Sequence, residues 1–161
     1  MDRRKRELVH TSYERLAPGV ALLVDHFYAR LFEVAPGVRR LFPEDMGRLR
    51  AHFAAAVAII ARNAVAIEAM ETPLSEMGAR HATYGAQPEH YAVVQQVLLE
   101  TLEKAAGELW TPALADAWRD LIAHVSRVML MGAARAAMDA ADRMAKPMVE
   151  VRRPGSGQPR P

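Results

Sequence analysis

The sequence predicts an all-α protein, and three observations carry that prediction. Apolar residues recur at three- and four-residue steps along most of the chain. Alanine is abundant and glycine is sparse within the body, which favours helix over sheet. The interruptions fall at proline–glycine pairs, where helices end. With 161 residues the chain fits one domain. Its folded part is read as residues 1–146 and its tail as residues 147–161.

A first helix is expected over about 3–16, with Leu8, Val9, Tyr13 and Leu16 facing inward, and Pro18-Gly19 breaks it. A second runs from about 20 to 34, with Val20, Leu23, Phe27, Leu31 and Val34 on one face, and ends at Pro36-Gly37. Arg39 to Phe42 is expected to form one short turn. A third helix is read over about 45–68, with Leu49, Phe53, Val57, Ile60 and Ile67 along one side. Thr72 reads as the N-cap of a short fourth helix with Pro73 at its first position. That helix carries Leu74, Met77 and His81 and stops before Gly85. A fifth starts at Pro88 and reaches about Ala106. Thr111-Pro112 repeats the cap-plus-proline signal and opens a sixth helix reaching Ala145. The tail RRPGSGQPRP has almost nothing to bury and is expected to be disordered. Six or seven helices of unequal length suit angled packing better than a regular four-helix bundle.

Composition excludes several functions. There is no cysteine, which removes disulfides, thiolate nucleophiles, iron–sulfur clusters and cysteine zinc sites. It also suits a reducing cytoplasm. The opening MDRRKRELVH does not read as a secretory signal, and no run is expected to span a membrane. Positive charge gathers at the two ends, leaving the body net negative, so nucleic-acid binding is not expected. No paired carboxylates, Ser/His/Asp arrangement or phosphate-binding glycine loop stands out.

His81 is the main candidate for chemistry. A metal ligand must be neutral imidazole, with one nitrogen on the metal and the other held by a hydrogen bond. Near a helix end the Met77 carbonyl, one turn back, can supply that bond. Alone, His81 reads more readily as a buried histidine satisfied by a carbonyl. Tyr28 is either an amphipathic aromatic at the rim of the core or a phenol that donates to a small ligand. Phe42 is a core anchor or a ring that packs on a flat cofactor. His52, one position off the apolar stripe, faces a rim or supplies a second ligand. His10, His26, His90 and His124 show no metal-ligand spacing and read as surface or structural residues.

Taken together, HFYARLF, RRLFPEDM, LSEMGARHATYGAQPEHYAVVQQVLLETLE and ELWTPALADAWRDL resemble a bacterial single-domain haemoglobin, related to the haem domain of flavohaemoglobins and to Vitreoscilla haemoglobin. The resemblance covers about residues 5–132. It implies a globin fold around one haem b. It places His81 at the proximal iron ligand, Tyr28 at the distal tyrosine, Phe42 at the ring that packs on the porphyrin, and Tyr91 near the proximal histidine. Spacing within the resemblance puts Leu49 at the distal position with Phe53 one turn later; a longer connecting turn would bring His52 there instead. A proximal glutamate of flavohaemoglobins falls near Ala133, so the imidazole should be a weaker electron donor.

The resemblance further implies reversible binding of O2, NO and CO. The uses it suggests are oxygen storage or delivery, or nitric oxide scavenging. Nitric oxide dioxygenase or peroxidase-like turnover would need an external reductase, because no flavin or nicotinamide domain follows in the sequence; gas sensing is a further alternative. The chain is expected to be a monomer or homodimer, with Met138, Met144 and Met148 as contacts for a second subunit or for the base of the domain itself.

Overall fold

The fold, a computed structural model, is described over residues 1–145; the expected tail, Pro147 and Met148 lie outside the described residues. Six α-helices carry it: α1 Arg3–Leu16, α2 Val20–Val34, α3 Gly47–Arg62, α4 Glu71–Thr83, α5 Pro88–Ala106 and α6 Pro112–Ala145. Short 3₁₀ turns over Ala17–Gly19, Pro36–Leu41, Ala64–Met70 and Gly107–Leu109 join them. No strand occurs among the described residues.

The core forms where the apolar faces meet. Val9, Tyr13 and Leu16 bury one face of α1. Leu23, Val24, Phe27, Tyr28 and Leu31 do the same on α2. α6 supplies Leu114, Ala117, Trp118, Leu121 and Ile122. Each fully buried large side chain contributes about 1.5–3 kcal/mol from the apolar area it removes from water. Trp118 also satisfies its indole, with Nε1–H donating to Ser12 Oγ at 3.1 Å, and so pins α6 to α1. Lys5 pairs with Asp120 at 2.6 Å along the same contact.

Local chemistry sets most boundaries. The Asp2 carboxylate accepts from Lys5 N–H at 2.8 Å and starts α1. Thr111 Oγ1 accepts from Leu114 N–H at 3.2 Å and starts α6, as its sequence suggests. α5 opens on a capping box, with Gln87 N–H donating to His90 Nδ1 at 3.0 Å.

Two boundaries differ from the sequence expectation. The third helix does not reach residue 68: it stops at Arg62, and the chain turns by 109° into the next helical stretch. Asn63 Nδ2 donates to Ile59 O at 2.8 Å, and Ala66 leaves helical geometry at φ −120°. Ile67 is still buried, but on the turn that packs against α1. Thr72 is not an N-cap, because the chain enters α4 already coiled from Ala64–Met70 and the helix begins at Glu71. Pro73 is then third in the helix, where its missing N–H still costs nothing.

Among the described residues one helix bears on the membrane expectation. α6 contains an 18-residue window of mean hydropathy 1.2, long and apolar enough by composition to cross a bilayer, and 28% of that window is buried. The helix packs against α1, α4 and α5, which accounts for its buried apolar residues as core. Met138 and Met144 lie exposed on its outer length.

Candidate functional site

Two groups of residues face the chemistry question from different elements. The first is a cluster of rings. All four phenylalanines of the chain, Phe27, Phe32, Phe42 and Phe53, gather around Tyr28. Phe53 of α3 stacks on Phe27 of α2 at 4.6 Å. Phe42 meets Tyr28 edge-on at 5.8 Å and Phe32 at 5.3 Å. The turn before Phe42 is tied down by Arg39, whose guanidinium donates to the Phe42 and Pro43 carbonyls and lies over the Phe32 ring.

Tyr28 is only 4% exposed. No hydrogen bond to its hydroxyl is found among the described residues. Burial pushes its pKa up to about 12, partly offset by the positive charge of Arg50. The phenol therefore keeps its proton at neutral pH and remains a donor with no acceptor among the described residues.

The second group centres on His81, near the end of α4 and half-buried. Its Nδ1 lies 2.8 Å from the Met77 carbonyl. A carbonyl only accepts, so Nδ1 carries a proton, and in the neutral ring Nε2 holds the lone pair. This matches the bond anticipated from the sequence. The backbone closes around the helix end: Tyr84 and Ala86 N–H both donate to His81 O at 3.1 Å. Gly85 follows at φ +89°, a left-handed conformation suited to glycine. Leu41 Cδ2 sits 3.3 Å from where a Cβ on Gly85 would stand. The turn that carries Phe42 therefore leans on the loop that follows His81.

The remaining candidates are placed as follows. Leu49 is half-buried and packs against the core, while His52 on the same helix is exposed. Tyr91 is half-buried on α5, and burial raises its pKa. It lines a groove of about 540 Å³ with Leu130, Met131 and Ala134 of α6. That groove is lined by α5 and α6 and includes none of the ring-cluster residues. Ala133 is a half-buried helical residue of α6.

Sequence reasoning treated Phe27 as core only and did not single out Phe32 or Arg50. Phe32 stands four residues after Tyr28, one helical turn on, a spacing that could have flagged it.

Comparison with known proteins places the fold in a family. The globin family model matches residues 25–129. An anaerobic nitrite reductase, HBII, of Casuarina glauca is 29% identical over 126 residues, covering 69% of this chain and 79% of that protein. A flavohaemoprotein of Rhizobium meliloti is 24% identical over 132 residues, covering 80% of this chain and 33% of that longer protein. Among solved structures, a carbene transferase engineered from a candidate nitric oxide dioxygenase of Rhodothermus marinus matches with a TM-score of 0.79 at 26% identity, over 88% of this chain and 99% of that one. The family match spans most of α2 through the middle of α6 and includes Tyr28, Phe42, His81 and Tyr91, so this chain belongs to the globin family.

Proposed function

We propose that this globin binds one haem b through His81 and takes up dioxygen, nitric oxide or carbon monoxide reversibly on the Tyr28 side. Its use would be oxygen storage or delivery, or nitric oxide scavenging, in the cytoplasm. The observation that carries this reading is the state of His81: Nδ1–H is committed to the Met77 carbonyl and Nε2 is left with a free lone pair. Among the described residues no three His, Asp or Glu side chains gather to hold a metal. A metal on His81 must therefore bring its other ligands with it, which a porphyrin does.

When bound, haem supplies an iron with one coordination position open to a diatomic ligand. The chain supplies the rest. Met77 orients the imidazole; Phe42 would pack against the macrocycle, and Leu49 and Phe53 would keep the ligand side apolar. Tyr28 holds its proton at the phenolic oxygen and donates it in a hydrogen bond. Such a bond to a charged acceptor is worth about 1.5–3 kcal/mol, or one to two orders of magnitude in ligand escape.

Turnover of nitric oxide, with electrons from a separate reductase, is the second reading. It is favoured by the likeness to a flavohaemoprotein and to a structure derived from a candidate nitric oxide dioxygenase. Absorption spectra of the purified ferric and ferrous protein test the lead. A Soret band is expected, and its absence from protein made with adequate haem sinks the proposal. A low-spin ferrous spectrum without added ligand would instead make His52 an internal ligand. Fast nitrate formation sustained by a reductase would promote the second reading.

A further inference from the structure

The contact between α4 and α6 is the most extensive helix–helix contact in the fold. Its closest approach is made by two glycines. A Cβ built on Gly78 would fall inside the backbone of Met129, and one built on Gly132 inside the backbone of Ser75, 2.7 Å from its Cα. The arrangement is reciprocal: Ser75 and Gly78 lie one turn apart on α4, Met129 and Gly132 one turn apart on α6. What a side chain would strike is main chain, which cannot rotate away.

Neither glycine serves a turn. The positive-φ residues among those described are Gly85 and Gly107, so Gly78 and Gly132 have backbone angles that alanine adopts freely. Glycine inside a helix costs about 0.5–1 kcal/mol relative to alanine. At both positions only the missing volume explains the choice.

That volume matters because of what adjoins it. Met77, whose carbonyl holds His81 Nδ1, directly precedes Gly78, and His81 lies one turn after it. α4 itself buries only Leu74 and Gly78. Its position therefore depends on the crossing with α6 rather than on a broad apolar face of its own.

We propose that Gly78 and Gly132 are positioning residues for the His81 imidazole, a reading that rests on the haem-binding function proposed above. By letting the two backbones touch, they set how far α4 stands from the ligand site and hold Met77 and His81 as one block with α6. A methyl group at either position forces the helices apart, because interaxial distance follows the side chains at the contact. The iron–histidine bond then lengthens or tilts.

The test uses haem-loaded protein carrying Gly78→Ala or Gly132→Ala, with Gly19→Ala as control, since nothing lies within 4 Å of a Cβ there. Both crossing variants are expected to shift the ferrous iron–histidine stretching frequency and to release haem to a scavenging apoprotein about tenfold faster or more. The control should do neither. An unchanged stretch and release rate in a folded variant overturns the proposal, even if its melting temperature drops. Amide exchange in the wild-type chain, with or without haem, gives a reading independent of whether the variants fold. Gly78 to His81 should open with the same free energy as Val128 to Gly132; faster exchange in α4 alone overturns the idea. Lack of a Soret band in the wild type would count against haem binding and leave the exchange result standing.

Discussion

The two sides of the proposed haem site are built from different materials. The Tyr28 side is made of side chains: five rings from α2, α3 and the turn between them, interlocked at 4.6 to 5.9 Å. The His81 side is made of backbone: one carbonyl on the ring, two amides on the helix end, and two glycines against a neighbouring main chain. Side-chain packing tolerates substitution at an energetic cost but seldom moves an element as a whole. Backbone contacts hold position with little apolar area, and a single added carbon can displace them. The ligand side is therefore expected to fail by losing stability or a donor, and the His81 side by losing geometry.

The largest effect should come from His81→Ala. It removes the free nitrogen, and α4 holds no other histidine. Loss of the axial bond, seen as a changed Soret band and rapid loss of haem, is the expected outcome. A pigment held with an unchanged axial signature would end the division into two sides.

Next in size is Phe27→Ala. Phe27 is 2% exposed and is stacked on Phe53. Its removal should cost about 3–5 kcal/mol, read from the denaturant midpoint. The iron–histidine stretch should stay where it is in the protein that remains folded. If that stretch moves as well, the ring cluster reaches across to His81 and the comparison is too sharp.

The ligand side was the more legible in the sequence, and the reason is physical. Tyr28 and Phe42 are conspicuous because aromatic residues are few, and helical spacing ties Phe27 and Phe53 to their stripes. On the other side, the Met77–His81 bond could be anticipated because it spans one turn of a single helix. The glycine crossing could not, since it joins positions 54 residues apart in the chain and Gly78 looks like any tolerated helical glycine. The bend at Asn63 was hidden for a related reason. The alanine-rich stretch around it contains no proline or glycine, and the break depends on tertiary contact with α1. Thr72 misled because a cap signal is read locally, whereas the preceding turn already supplied a coiled entry. Spacing left Leu49 and His52 in competition; the structure turns Leu49 toward the core and His52 toward solvent.

Tyr28→Phe comes third and separates donor from packing. The hydroxyl has no hydrogen-bond partner among the described residues, so its loss should leave the midpoint at neutral pH nearly unchanged. Ligand dissociation should accelerate about ten- to a hundredfold, equivalent to about 1.5–3 kcal/mol. There is also an alkaline signature. Burial raises the Tyr28 pKa from 10.0 to about 12, so the unfolded chain gives up this proton before the folded one does. The stability contributed is intact below about pH 10 and is lost as pH rises through about 12. The variant should lack that part of the alkaline decline. Equal decline in both proteins, with equal ligand dissociation, would remove the special status of the phenol.

Gly85→Ala comes last and bears most directly on the backbone side. At φ +89° a side chain is strained, and its Cβ would press on Leu41 at 3.3 Å. The cost should be about 1–2 kcal/mol, which in a domain of this size lowers the melting temperature by roughly 2–8 °C. That is less than Phe27→Ala removes. Yet this loop follows His81 directly and receives the turn that carries Phe42. The milder variant should therefore be the one that moves the iron–histidine stretch, while the harsher one leaves it alone. If the order is reversed, with Phe27→Ala shifting the stretch and Gly85→Ala changing only the melting temperature, then side-chain packing and not the backbone positions the imidazole.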